Sequence, residues 1–146
     1  MATPRGLRNN NPLNIRRTPS KWLGEVDGLN GKRDAAFCQF SSLVYGYRAA
    51  GKLLRTYQTK YKLYGLSQII GRWAPPSEND TRAYVTRVAQ QMTKELGKPI
   101  SVDSILDVCK DKETLRALIV SMHLVECVQL PTIKERQAIA QALTML

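Results

Sequence analysis

Glu126 is the acidic residue whose position most calls for a chemical explanation. Between about Lys112 and Val128, Leu115, Leu118, Ile119, Met122 and Val125 recur on one helical stripe, and Glu126 follows Met122 by four residues and Ile119 by seven, so it shares that stripe. Burial disfavours the charged form of an inward-facing carboxyl and raises its pKa, and that keeps it protonated near neutral pH as a general acid requires. The same residue could also end the helix in solvent or pair with an arginine. His123, the only histidine, precedes it by three residues. A lone helical histidine with no assignable cysteine or serine partner reads as a surface or half-buried polar residue.

Two polar loops hold the remaining candidates. Arg5-Gly6-Leu7-Arg8-Asn9-Asn10-Asn11-Pro12-Leu13-Asn14-Ile15-Arg16-Arg17 reads as a shaped loop, because three asparagines ending at a proline bias the backbone toward turn and extended conformations. Amides both donate and accept, so Asn9, Asn10, Asn11 and Asn14, with Arg16, suit a neutral polyhydroxyl ligand such as a sugar as well as they suit an Asx-rich turn. Ile15 is the residue there that must be buried. The second loop, Arg72 to Thr81, is stiffened by Pro75 and Pro76 and anchored by Trp73. Asp80 reads as a helix cap, Glu78 and Asn79 are freer to face a ligand, and Trp73, Asn79 and Tyr84 make a sugar-binding combination that is equally compatible with core positions. Of the early acids Glu25, Asp27 and Asp34, Asp34 either holds the Asn loop or acts on a substrate.

The elements that must position these residues are mostly helical. Residues 13–40 carry the strand signal, a small hairpin or three-stranded antiparallel sheet with Phe37, Cys38 and Phe40 packing inward. Ser41 or Ser42 caps a helix reaching about Lys60, Ser67 begins a short one halted by Pro75, and Asp80 begins one closed by Gly97 and Pro99. Ser101 opens a brief helical turn through Ile105 and Leu106. An apolar helix over about 112–128 and a last helix from Pro131 complete an α+β domain.

At 146 residues the chain is one domain large enough for its own core. Its 22 Lys plus Arg against 12 Asp plus Glu, a formal charge of +10, predict attraction to a polyanion: nucleic acid, an anionic membrane surface, or a bacterial wall. Basic residues are spread over a face, and tyrosines among them would also serve nucleic acid, but no helix-turn-helix, zinc-finger or RNA-binding signature is present. Cys38, Cys109 and Cys127 are an odd, widely spaced set, which points to free thiols in a chain made in a reducing cytoplasm and not to zinc or a disulfide framework. Met1 to Arg5 lead into no apolar leader segment, and no stretch approaches a membrane span.

Five ordered motifs carry a resemblance over nearly the whole chain: Arg5 to Pro12 with Asn14-Ile15-Arg16; Trp22 with Gly24; Asp34-Ala35-Ala36-Phe37 with Phe40; Gly46-Tyr47-Arg48-Ala49; and Arg72 to Thr81 with Tyr84. Together they resemble a family of phage and prophage virion structural proteins. The Asn-rich piece further looks like the loop of lysozyme-like glucosaminidases that lines the glycan cleft after the helix bearing their catalytic glutamate. In the virion family a helix closes on His-Glu-Asn-Gly, and Val125-Glu126-Cys127-Val128 stands in that place with only the glutamate retained. The resemblance implies a lysozyme-like fold with its catalytic helix at the opposite end of the chain, as in a circular permutation. It implies a lysozyme- or lytic-transglycosylase-like attack on peptidoglycan by phage-type machinery: Glu126 as general acid, Glu25, Asp34 or Glu78 as second carboxylate, no cofactor. Peptidoglycan strands and other virion proteins are the implied partners, and the virion or the bacterial cell wall and periplasm the place of action, reached without a signal peptide. A non-catalytic virion or wall-binding module is the alternative, favoured by the altered helix end at Cys127 and Val128, and a nucleic-acid-binding protein is the third reading.

Overall fold

The computed structural model describes residues 3–146, so the reading of Met1 and Ala2 as a start without a leader lies outside the described residues. Among them are six helices and one two-stranded sheet: α1 (Arg5–Arg8), β1 (Glu25–Val26), β2 (Gln39–Phe40), α2 (Leu43–Thr59), α3 (Leu66–Trp73), α4 (Thr81–Leu96), α5 (Lys112–Cys127) and α6 (Ile133–Leu143).

Helix α5 is the axis of the core. Every residue from Ala117 to His123 is buried, so the helix is covered all round, whereas its neighbours present only one stripe inward. Helix α4 packs along one side through Tyr84, Val85, Val88 and Met92; α2 and α6 pack against each other and against the opposite side. Local chemistry sets the helix ends. The Asp80 carboxylate accepts the Ala83 N–H at the start of α4, and Gly97, in the left-handed region at φ +65°, ends it. Thr132 and Glu135 form a reciprocal capping box at the start of α6. Among the described residues, no helix is long and apolar enough to cross a membrane.

The sheet is smaller than expected. Glu25 pairs with Phe40 and Val26 with Gln39, antiparallel, and the potential third strand contributes a single bridge, Arg16 to Phe37. Cys38 and Phe40 are buried as anticipated, but Phe37 is only half-buried, with the Arg5 and Arg16 guanidinium carbons 4.6 and 4.9 Å from its ring centroid. Two other expectations change. The first residues of the Asn loop form the helical turn α1 before Asn9 stops it. Residues 101–106 make turns instead of a helix, because their backbone carbonyls accept the N–H groups of Leu66 and Ser67 at the open start of α3.

Helix α2 approaches the Asn loop so closely that a Cβ on Gly46 would overlap the Asn10 carbonyl oxygen. That contact, with Phe40 N–H donating to the Asn9 carbonyl, clamps the loop against the core.

Candidate active site

The three consecutive asparagines turn inward, not outward. Asn11, fully buried, donates to the carbonyls of Ile15 and Cys38, both at 2.9 Å, and accepts the Ile15 N–H at 3.0 Å. Asn10 donates to the Phe40 carbonyl at 2.9 Å. Asn9 donates to Asp34 at 3.0 Å and accepts from Gln39. The Asn10 and Asn11 amides substitute for backbone partners that a wide loop cannot supply itself, Asn9 links Asp34 to Gln39, and none of the three expected ligand contacts lines the cleft that Glu126 faces.

Asp34 belongs to the same scaffold. Its carboxylate receives both Arg5 bonds, at 2.7 and 2.9 Å, the Asn9 amide, and the N–H groups of Ala36 and Phe37. The Arg5 guanidinium, together with those donors, holds its carboxyl well below the usual carboxylate range despite partial burial. With its lone pairs so committed and its side chain outside the cleft lining, Asp34 is a fastening residue and not a candidate acid. Glu25 is likewise occupied: it pairs with Arg17 at 3.1 Å and accepts the Trp22 N–H.

Asn14 does something different. At φ +54° it reverses the chain at the end of the loop, a conformation that asparagine tolerates better than most residues. Its Nδ2 donates to Glu126 Oε1 at 2.8 Å, joining positions 112 residues apart. From α4, the buried Tyr84 hydroxyl donates to Glu126 Oε2 at 2.9 Å. The glutamate is thus held by one donor on each oxygen. Burial is the dominant influence on its carboxyl and raises its pKa, while the Asn14 and Tyr84 bonds, which favour the charged form, partly oppose the rise. Burial and the neighbouring Glu126 also push the Tyr84 phenol well up.

Glu126 looks into a cleft of about 400 Å³ between the Asn loop, α3 and the 75–79 turn. Trp22, Phe37, Tyr57 and Trp73 give it aromatic walls, and Arg16, Arg72, Glu78 and Asn79 its polar rim. Trp73 is fixed by a bond from Nε1 to the Leu13 carbonyl at 3.3 Å and an edge-on contact with Tyr57. Glu78 is the other carboxylate in the lining, 3.7 Å from Arg16. Of the sequence candidates, the structure brings Glu126, Asn14, Tyr84, Arg16, Trp73, Glu78 and Asn79 together; Asn14 and Tyr84 position the glutamate, a role not anticipated for them.

Sequence reasoning overlooked Arg72, Trp22 and Tyr57 as cleft residues, although Arg72 adjoins Trp73 and Trp22 stands in a motif of its own. His123, expected near the surface, is fully buried with Nδ1 3.0 Å from the Tyr47 hydroxyl. Chemically, a carboxyl whose neutral form is favoured by burial, steered by two side chains at the wall of an aromatic-lined cleft, is placed as a proton donor to a bound neutral ligand.

No family model matches the chain. Over 90 residues it is 47% identical to Protein P5 of Pseudoalteromonas phage PM2, a match covering 60% of this chain and 54% of that protein. The chain therefore has a phage homologue, and spans about half the length of the curated relative it matches.

Proposed function

We propose that the protein cleaves the glycan strand of peptidoglycan, with Glu126 as general acid, in the service of a phage. The observation that carries this reading is the Glu126 carboxyl itself, protonation-prone through burial and held by Asn14 and Tyr84 against a cleft with sugar-sized aromatic walls. In this reading Glu126 gives its proton to the bridging oxygen as the C1–O bond breaks, and positive charge develops on the sugar ring. Glu78, paired with Arg16 across the same cleft, is the protein's candidate to stabilise that charge; the acetamido group of the substrate is the other. The Glu126 carboxylate then recovers a proton from water, or from a hydroxyl of the sugar itself if the product is an anhydro end. Trp22, Tyr57 and Trp73 would stack on sugar rings, and the phage homologue is consistent with action in the virion or at the host wall.

A non-catalytic wall-binding or virion subunit is the second reading. It is favoured by Val128, which ends α5 at φ +58° where a glycine would carry no strain, a sign that the helix end has drifted from the resembled pattern. Turbidity loss and mass spectrometry of fragments from purified peptidoglycan, for the wild type and Glu126→Gln, separate the two. Reducing or anhydro ends from the wild type alone, with both proteins folded, support the enzyme. Wall binding without fragments from either sinks it in favour of the subunit.

A further inference from the structure

Arg72, in the last turn of α3, projects along the cleft rim with its guanidinium carbon 3.7 Å from the Tyr61 ring centroid and 5.3 Å from that of Tyr57. Arg16, the other arginine of the cleft, has Glu78 as partner, but among the described residues no carboxylate lies within ion-pair distance of Arg72. None is near in the chain either: between Asp34 and Glu78 there is no acidic residue, while Arg48, Lys52, Arg55, Lys60, Lys62 and Arg72 are all basic. Lys60 Nζ also lies over Tyr61, at 5.4 Å, so the corner where α2 meets α3 gathers two cations on one ring.

A guanidinium held over aromatic faces is oriented at low entropic cost, and its in-plane N–H edge matches a planar carboxylate in a bidentate pair. We propose that Arg72 is an anion subsite of the cleft, and that it takes a carboxylate of the peptide stem carried by every second sugar of the wall glycan. The proposal rests on the glycan-cleavage reading and deepens it. A neutral amino-sugar strand offers Arg72 nothing, so the subsite makes the protein discriminate stem-bearing strands from bare ones. Arg16, by contrast, has Glu78 3.7 Å away as a competing carboxylate.

The test uses phosphate-free peptidoglycan, cleared of teichoic acid by hydrofluoric acid, beside the same strands stripped of stems by an amidase, with the lactyl carboxylates which that hydrolysis frees on the sugars then capped as neutral amides. Binding is read by pelleting with the Glu126→Gln protein, where no cleavage intervenes, and cleavage by fragment release with Glu126 intact. We expect stem-bearing strands to be bound roughly tenfold more tightly than stripped ones, the size of one charge-assisted contact. Adding Arg72→Gln brings the ratio close to one, and Arg72→Lys keeps part of it. Equal binding of both phosphate-free strands by the Glu126→Gln protein overturns the subsite, as does a preference that survives Arg72→Gln. Fragment release is scored separately: a stem preference in binding without fragments leaves Arg72 its ligand and removes the enzyme, and fragments without preference do the reverse.

Discussion

Glu126 is held between opposed influences, and they fix the direction in which its pH dependence moves. Burial favours the neutral carboxyl, while the hydroxyl of Tyr84 and the amide of Asn14 favour the charged one. Removing a donor therefore raises the pKa further. In a glycosidase whose acid must be protonated, Tyr84→Phe moves the alkaline limb of the pH–rate profile to higher pH and lowers the maximal rate through looser positioning; an alkaline limb unchanged in Tyr84→Phe excludes Glu126 as the group that titrates there. His123 makes a stability prediction instead. Burial, aided by Arg136 and opposed by Glu135, whose Oε1 is 3.7 Å from the unpartnered Nε2, pulls its pKa down to about 4 from an ordinary 6.5. Its folded value lies below its unfolded one, so the unfolded chain takes up the proton first. Stability is then full above about pH 6.5 and declines as pH falls toward 4, by roughly 3 kcal/mol. Urea denaturation across that window detects the decline, and His123→Gln flattens it while leaving the separate contribution of Glu126.

The end of α5 is the element whose geometry and sequence disagree most. Val128 sits in the left-handed region at φ +58° with 87% of its surface exposed, so its side chain strains the backbone and contributes little packing in return. Relief of that strain in Val128→Gly is set against the greater freedom of glycine in the unfolded chain, and a net gain of about 0.5–1 kcal/mol is expected by chemical denaturation. Because Glu126 is two residues away, the same variant also asks whether a better helix end changes activity. The element opposite, the Asn loop, is rigid for another reason: its amides bond Ile15, Cys38, Phe40 and Asp34, and α2 presses on it through Gly46. Asn14 thereby reaches Glu126 from a braced support.

Over the whole molecule a formal charge of +10 is distributed unevenly, with the acid-free region from Asp34 to Glu78 on the side of the chain that supplies α2, α3 and the Arg72 rim of the cleft. Long-range attraction from such a surface is screened within about 10 Å at 0.1 M salt and about 3 Å at 1 M. Adsorption to intact anionic walls should therefore drop steeply between those concentrations, while binding of short neutral glycan fragments to the aromatic cleft stays nearly constant. Pelleting with walls and titration with fragments measure the two. Tighter and equally salt-sensitive binding to duplex DNA would instead favour the nucleic-acid reading.

Periodicity alone determined most of the helices, because an apolar stripe at helical spacing next to Asp80, Gly97 or Pro131 has few other ways to fold. It also put Glu126 on the inward stripe of α5, since that placement needs only the residues of its own helix. What lay beyond it was the direction of each loop side chain. Asn9, Asn10, Asn11 and Asn14 are the same residue type in one short segment, yet three brace the loop and one reaches Glu126; Asn10 and Asn14 even share a positive φ, so the division is set by which groups of the 34–40 segment and of α5 the fold brings alongside each amide. Asp34 and Glu78 were equal candidates as acids until the fold surrounded one with Arg5 and backbone amides and left the other at the cleft. Such choices depend on partners dozens of residues distant, and only the tertiary structure decides them.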